Sequence, residues 1–185
     1  MKLPVFKVLI LLVFSILISC KEDVLPKPKG HLRLEYPLAK YKNLETDCSF
    51  QFEVNQFGKL KNNNCSFEIN YPKMKATIYI THKKVNNNIK NLLQDAQKLT
   101  YEHAIKADDI TEQPYINKEK NVYGMFYRVG GNAATNTQFY VTDSTKNFIT
   151  GSVYFYAKPN YDSILPAANY LQNDIRHLME TIKWK

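Results

Sequence analysis

FEINYPKMKATIYITHKKVNNNIKNLLQDAQKLTYEH, residues 67–103, changes its hydrophobic period part-way along. Phe67, Ile69 and Tyr71 alternate with Glu68 and Asn70 until Pro72 stops the run. Ala76, Ile78 and Ile80 then alternate with Thr77, Tyr79 and Thr81. A period of two predicts strands with one buried face. Beyond Asn86-Asn87-Asn88 the apolar residues Ile89, Leu92, Leu93, Ala96 and Leu99, followed by His103, recur three or four apart. That spacing predicts one face of a helix. Two strands in direct succession, joined by a short turn, favour antiparallel pairing and an α+β arrangement.

The pattern extends in both directions. Upstream, Leu32, Leu34 and Tyr36 alternate up to Pro37, and Phe50, Phe52 and Val54 alternate with Gln51 and Glu53. Asn62-Asn63-Asn64 supplies a turn before residue 67. Downstream, residues 122–129, 137–142 and 148–156 read as strands, separated by turns at 130–132 and 143–147. Asp108-Asp109 reads as a solvated turn after the first helix, with Pro114 soon after. Ile164, Ala168, Leu171, Ile175, Leu178 and Ile182 form the stripe of a closing helix. Ser163 is its expected N-cap, with Pro166 in the first turn, where a missing N–H is tolerated. The expectation is one α+β domain over residues 31–185, mainly an antiparallel sheet of about seven strands with two covering helices. The element order resembles the PsbP-like α/β sandwich.

The first 30 residues have a different composition. Lys2 and Lys7 precede the uncharged, almost wholly apolar stretch Val8–Ile18, the layout of a secretory signal peptide over residues 1–19. The stretch falls short of the roughly 20 apolar residues a bilayer span needs, which counts against the competing reading, an uncleaved anchor helix. Leu17-Ile18-Ser19-Cys20 resembles the bacterial lipobox. That resemblance implies cleavage before Cys20, diacylglycerol on its thiol and acylation of the new amino terminus; several acyl chains together give stable anchoring. A stray cysteine at the end of a leader is the alternative. Lys21–Lys29, with two prolines, two acids and three lysines, has linker composition, so residues 20–30 read as lipid anchor and tether. Lys21-Glu22-Asp23 also resembles an outer-surface export signal of some Bacteroidota lipoproteins, and equally a plain polar linker.

The chain carries a net charge of +8, and removing residues 1–19 with their two lysines lowers it to +6. A basic balance suits either a solvated surface or contact with anionic headgroups and envelope polymers. The lysines are scattered and the chain reads as exported, so no nucleic-acid partner is expected. Cys48 and Cys65 are the other two cysteines. In an oxidising compartment they read as a disulfide, closing a loop of about 16 residues for about 3 kcal/mol in the chain-entropy model; free thiols are the alternative.

Catalytic and metal signatures are missing. His31, His82, His103 and His177 share no paired-ligand spacing, so no metal site and no cofactor is expected. His103 reads as a core or boundary residue, and His177, off the helical stripe, as solvated. No GxSxG elbow, phosphate loop or dinucleotide fingerprint occurs. Asp108-Asp109 suits an acid–base pair less well than a turn. Thirteen Tyr, ten Phe and one Trp are more informative. Tyr154-Phe155-Tyr156 and the group Tyr123, Phe126 and Tyr127 suit strands packing across a sheet, or an exposed face that meets a partner. Asp143-Ser144-Thr145 and Asp162-Ser163-Ile164 each resemble the O-glycosylation acceptor of Bacteroidota.

Six blocks, KPKGHLRLEYP, YPKMKATIYITHKKVNNN, LLQDAQKLTYEHAIKADDI, VYGMFYRVGGNAA, QFYVTDS and YFYAKPNYDSILPA, together resemble the gliding-motility lipoprotein GldD family of Bacteroidota. The likeness runs from about Lys27 to Lys185. It implies a lipoprotein of the cell envelope, held to the membrane through Cys20 with its domain facing the periplasm. It also implies a role in surface gliding and partners among the gliding and type IX secretion proteins. The family offers no catalytic residues to transfer, so a non-enzymatic role in assembling or stabilising that machinery is expected. A PsbP-like module recognising an envelope glycan or peptidoglycan is the alternative, and an enzyme with an unrecognised site comes third. A buried polar cluster in a deep pocket would favour the enzyme, and a broad tyrosine-lined face without a pocket the contact protein. Ser66 departs from the family pattern, where an aromatic is expected.

Overall fold

The change of period after Asn88 marks a true boundary between strand and helix. The computed structural model describes residues 34–102, 107–131, 135–156 and 161–185, all within one compact unit, His31–Lys185. Strands β1 (Tyr41–Leu44), β2 (Phe50–Asn55), β3 (Lys59–Asn63), β4 (Ser66–Tyr71) and β5 (Ala76–Lys84) lead into helix α1 (Ile89–Glu102). Then come β6 (Ala107–Asn117), β7 (Val122–Gly131), β8 (Thr137–Thr142), β9 (Asn147–Phe155), helix α2 (Tyr161–Thr181) and the short β10 (Lys183–Trp184). The fold is a single-domain α+β fold.

Seven strands form one sheet in the order β3-β4-β5-β9-β8-β7-β6, and β1-β2-β10 form a smaller one. Every pairing is antiparallel. Two meanders, β3-β4-β5 and β6-β7-β8-β9, are therefore stitched together along β5 and β9, from Ala76↔Phe155 to Lys84↔Asn147. The β3–β4 connection is a two-residue turn in which Asn64 (φ 48°) and Cys65 (φ 64°) are both left-handed. That sign at both central positions matches the right-handed twist of the flanking strands. Ser66 opens β4 opposite Asn63.

The core lies between the large sheet, β2 and α2. Leu171, Ile175 and Ile182 are fully buried, as are Phe50 and Phe52, with Leu178 and Phe67 nearly so. Phe67 meets Phe50 and Phe52 edge-on at 6.0 and 5.3 Å between ring centroids, an arrangement aromatic pairs favour. The closing-helix stripe thus packs as its spacing predicts. Helix α1 behaves differently: Leu92 and Thr100 are buried, whereas Leu99 is 49% exposed. Beneath it lies a cavity of about 30 Å³ whose lining mixes Leu99, Tyr127 and Phe139 with Thr100, Gln138 and Ser152.

Several expectations need correction. Leu34–Tyr36 belongs to no strand, and Leu32 lies outside the described residues. The alternation there has no neighbouring strand to pair with; the Tyr36 ring packs instead on Tyr170, 5.4 Å between centroids. Asp108 and Asp109 are not a turn but part of β6, where the pairing with β7 shifts register between Ala107 and Ile110. Pro114 sits within that strand because β6 is a sheet edge, where a missing N–H removes no ladder bond on the outer side. Ser163 is not the N-cap, since α2 begins at Tyr161, and Pro166 falls inside the helix. Strands β1, β3, β6 and β10 add to those expected.

Candidate functional site

Asp174 breaks the apolar stripe of α2, three residues after Leu171 and one before Ile175. It is 3% exposed. Its carboxyl oxygens accept hydrogen bonds from the Tyr41 hydroxyl (2.8 Å), from the Tyr71 hydroxyl, and from Asn55 Nδ2 (2.9 and 3.0 Å). Asn55 Nδ2 also donates to the Tyr170 hydroxyl at 3.0 Å. One carboxyl group therefore ties the start of β1, the end of β2 and the end of β4 to the closing helix. Burial first, and then the neighbouring Asp174, hold the Tyr41 and Tyr71 phenols well above their ordinary pKa of 10.0, so both remain donors. Burial also raises Tyr170.

Above this cluster opens a cleft of about 310 Å³, within the range of small-ligand pockets. Tyr36, Phe57, Tyr71, Tyr170 and Met74 line it, with Lys59 and Lys73 among the lining residues. No carboxyl group lines the cleft among the described residues. Phe57 is 46% exposed, so part of the aromatic wall faces solvent.

Next to the cluster, His177 stacks on Tyr41 (3.6 Å between centroids, 18° between planes) and its Nε2 lies 2.7 Å from Glu53 Oε2. The expectation of a solvated His177 is thus corrected: its position off the stripe places it over β1 and β2, not in open water. His82 Nε2 lies 3.0 Å from Asn147 Oδ1, while His31 and His103 lie outside the described residues. No group of three His, Cys, Asp or Glu side chains comes together among the described residues.

The tyrosines divide between core and surface. Tyr127 is buried, whereas Tyr154 and Tyr156 stand exposed on β9 and just beyond it, their rings 5.2 Å apart and the Tyr156 hydroxyl bonded to that of Tyr79. Asp143-Ser144-Thr145 forms the β8–β9 turn. Asp143 Oδ1 accepts the backbone N–H groups of Thr145, Lys146 and Asn147 at 2.9, 2.7 and 2.9 Å. Burial opposes its ionisation, but these bonds outweigh it and hold its carboxyl below the usual value. Cys48 and Cys65 lie with Cα atoms 5.7 Å apart and sulfurs in bonding contact. Cys20 lies outside the described residues.

The family model for the gliding motility lipoprotein GldD matches residues 21–184, the whole described domain but for its last residue. The chain belongs to that family. No curated protein matches it. Membership of the GldD family brings with it gliding motility and lipoprotein character, and the latter fits an envelope-anchored chain. Among the described residues no helix is long and apolar enough to cross a membrane.

Sequence reasoning did not find Asp174, although one signal was present: an acid on the buried side of a helix, between Leu171 and Leu178. Its partners could not be found that way, because they lie up to 133 residues away.

Proposed function

We propose that this GldD-family chain is a non-enzymatic cell-envelope lipoprotein required for gliding, and that it assembles or stabilises the type IX secretion and gliding machinery. The observation that carries the reading is the family match across residues 21–184. In this reading residues 1–19 are the signal peptide, Cys20 bears the lipid, residues 20–30 form the tether, and residues 31–185 make the contacts. The chemistry of the Asp174 cluster supports a role by contact. Its carboxyl oxygens are engaged by three donor side chains, and phenols with raised pKa values are poor bases near neutral pH. Deleting the gene is expected to stop colony spreading and to lower secretion of type IX cargo, read as extracellular protein. A deletion strain that spreads and secretes normally would overturn the role.

A second reading, a binding module for an envelope glycan, is favoured by one observation: the aromatic cleft beside Tyr36 and Tyr170. The two readings are compatible, since a contact protein can hold a polymer and a protein partner on different faces.

A further inference from the structure

The cleft has a consistent chemical character. Its walls are aromatic on several sides, with Tyr36 and Tyr170 tilted at 56° to each other and Phe57 at the open edge. Rings of this kind offer flat apolar platforms with hydroxyl edges, which match the C–H faces and hydroxyl rims of sugar rings. An apolar peptide side chain would be better served by an enclosed aliphatic pit, and Met74 is the one non-aromatic, non-proline apolar residue in the lining. The charged complement consists of donors alone. Lys59 and Lys73 belong to the lining, and neither forms an ion pair among the described residues. The Tyr170 hydroxyl already accepts from Asn55 Nδ2, which leaves its own hydrogen to donate. Donors without a lining carboxylate call for a ligand rich in acceptors, and two unpaired ammonium groups call for one that is anionic. The chain's own tether, three lysines against Glu22 and Asp23, is net positive like the cleft and suits it less well than a wholly anionic ligand.

We infer that the cleft between Tyr36, Phe57 and Tyr170 binds a carboxylate-bearing saccharide, its ring stacked on the aromatic wall and its carboxylate held by Lys59 and Lys73. A volume of about 310 Å³ admits roughly one or two sugar rings, so the site would grip a short stretch of a longer acidic polymer. This inference rests on the glycan-binding reading and narrows it to one class of sugar.

The test is calorimetric titration of the full-length lipoprotein in detergent micelles. The probes are an alternating glucuronate–N-acetylglucosamine tetrasaccharide, the neutral N-acetylglucosamine tetrasaccharide, and hexaglutamate. The acidic sugar is expected to bind, the neutral one to bind about tenfold more weakly, and affinity to fall with added salt. Lys59→Ala with Lys73→Ala should cost the acidic sugar about tenfold, as loss of two exposed ionic contacts would. Those lysines are exposed and Phe57 half so; Phe57→Ala should weaken both sugars while leaving the thermal unfolding midpoint in place. Equal binding of both sugars, lost together in Phe57→Ala, would overturn the acidic preference and keep the glycan reading. Tighter binding of hexaglutamate than of either sugar would overturn both, as would no saccharide binding at millimolar concentration or binding that the cleft variants leave unmoved.

Discussion

Asp174 shows how much one side chain can organise. Replacing it by Ala would leave the Tyr41 and Tyr71 hydroxyls without their acceptor inside the fold and the Asn55 amide with Tyr170 alone. The expected cost is roughly 2–4 kcal/mol, measured by urea denaturation, with a smaller loss for Asp174→Asn, which keeps the volume and one acceptor oxygen. The two phenols add a pH dependence whose sign follows from the direction of their shifts. Both are held above 10.0 in the fold, so the folded state keeps protons that the unfolded chain releases. Stability is fully present below pH 10 and falls as pH rises above it. Urea midpoints taken between about pH 8 and pH 11 should show that fall, and Tyr71→Phe should flatten it. At Cys48 and Cys65 we propose a disulfide in the exported protein. Non-reducing mass spectrometry of native material is expected to find one linked peptide pair; two freely alkylated thiols would refute it.

Helices α1 and α2 have similar apolar periodicity but different fates. Ile175 on α2 is fully buried among aromatic and aliphatic side chains, so Ile175→Asp places an unpaired charge there. That variant should lose about 4 kcal/mol or more and fail to accumulate as folded protein, seen by circular dichroism and by cellular abundance. Helix α1 meets the sheet across a mixed seam of Leu99, Thr100, Tyr127, Gln138 and Phe139, with Leu92 its one buried apolar residue. Its backbone amides should exchange with deuterium well before those around Leu171 and Ile175, because fewer buried apolar contacts oppose local opening. Equal protection of both helices would count against this. Strand β3 makes the matching point for the sheet. Every residue of Lys59–Asn63 is exposed, so it has no buried face to impose alternation, and its lysines discourage edge-to-edge pairing with another chain.

For the whole molecule, the decisive question is what the lipid contributes. Cys20→Ser is expected to abolish lipid labelling and leave an unprocessed precursor, and to impair spreading although residues 31–185 fold unchanged; normal labelling and processing would end that proposal. The sequence by itself determined the α+β class, the β4–β5 and β7–β8–β9 hairpins and the buried stripe of α2, since each follows from a period of two or of three to four within a short window. The family blocks are local in the same sense. Only the tertiary structure decided the strands without a pattern of their own, namely β1, β3, β6 and β10, which form because a neighbour offers them hydrogen bonds. It alone decided the cleft as well. Tyr36, Phe57, Tyr71, Tyr170 and Asp174 are scattered over most of the domain and meet because β2, β4 and α2 converge on one core, and no window of sequence carries that convergence.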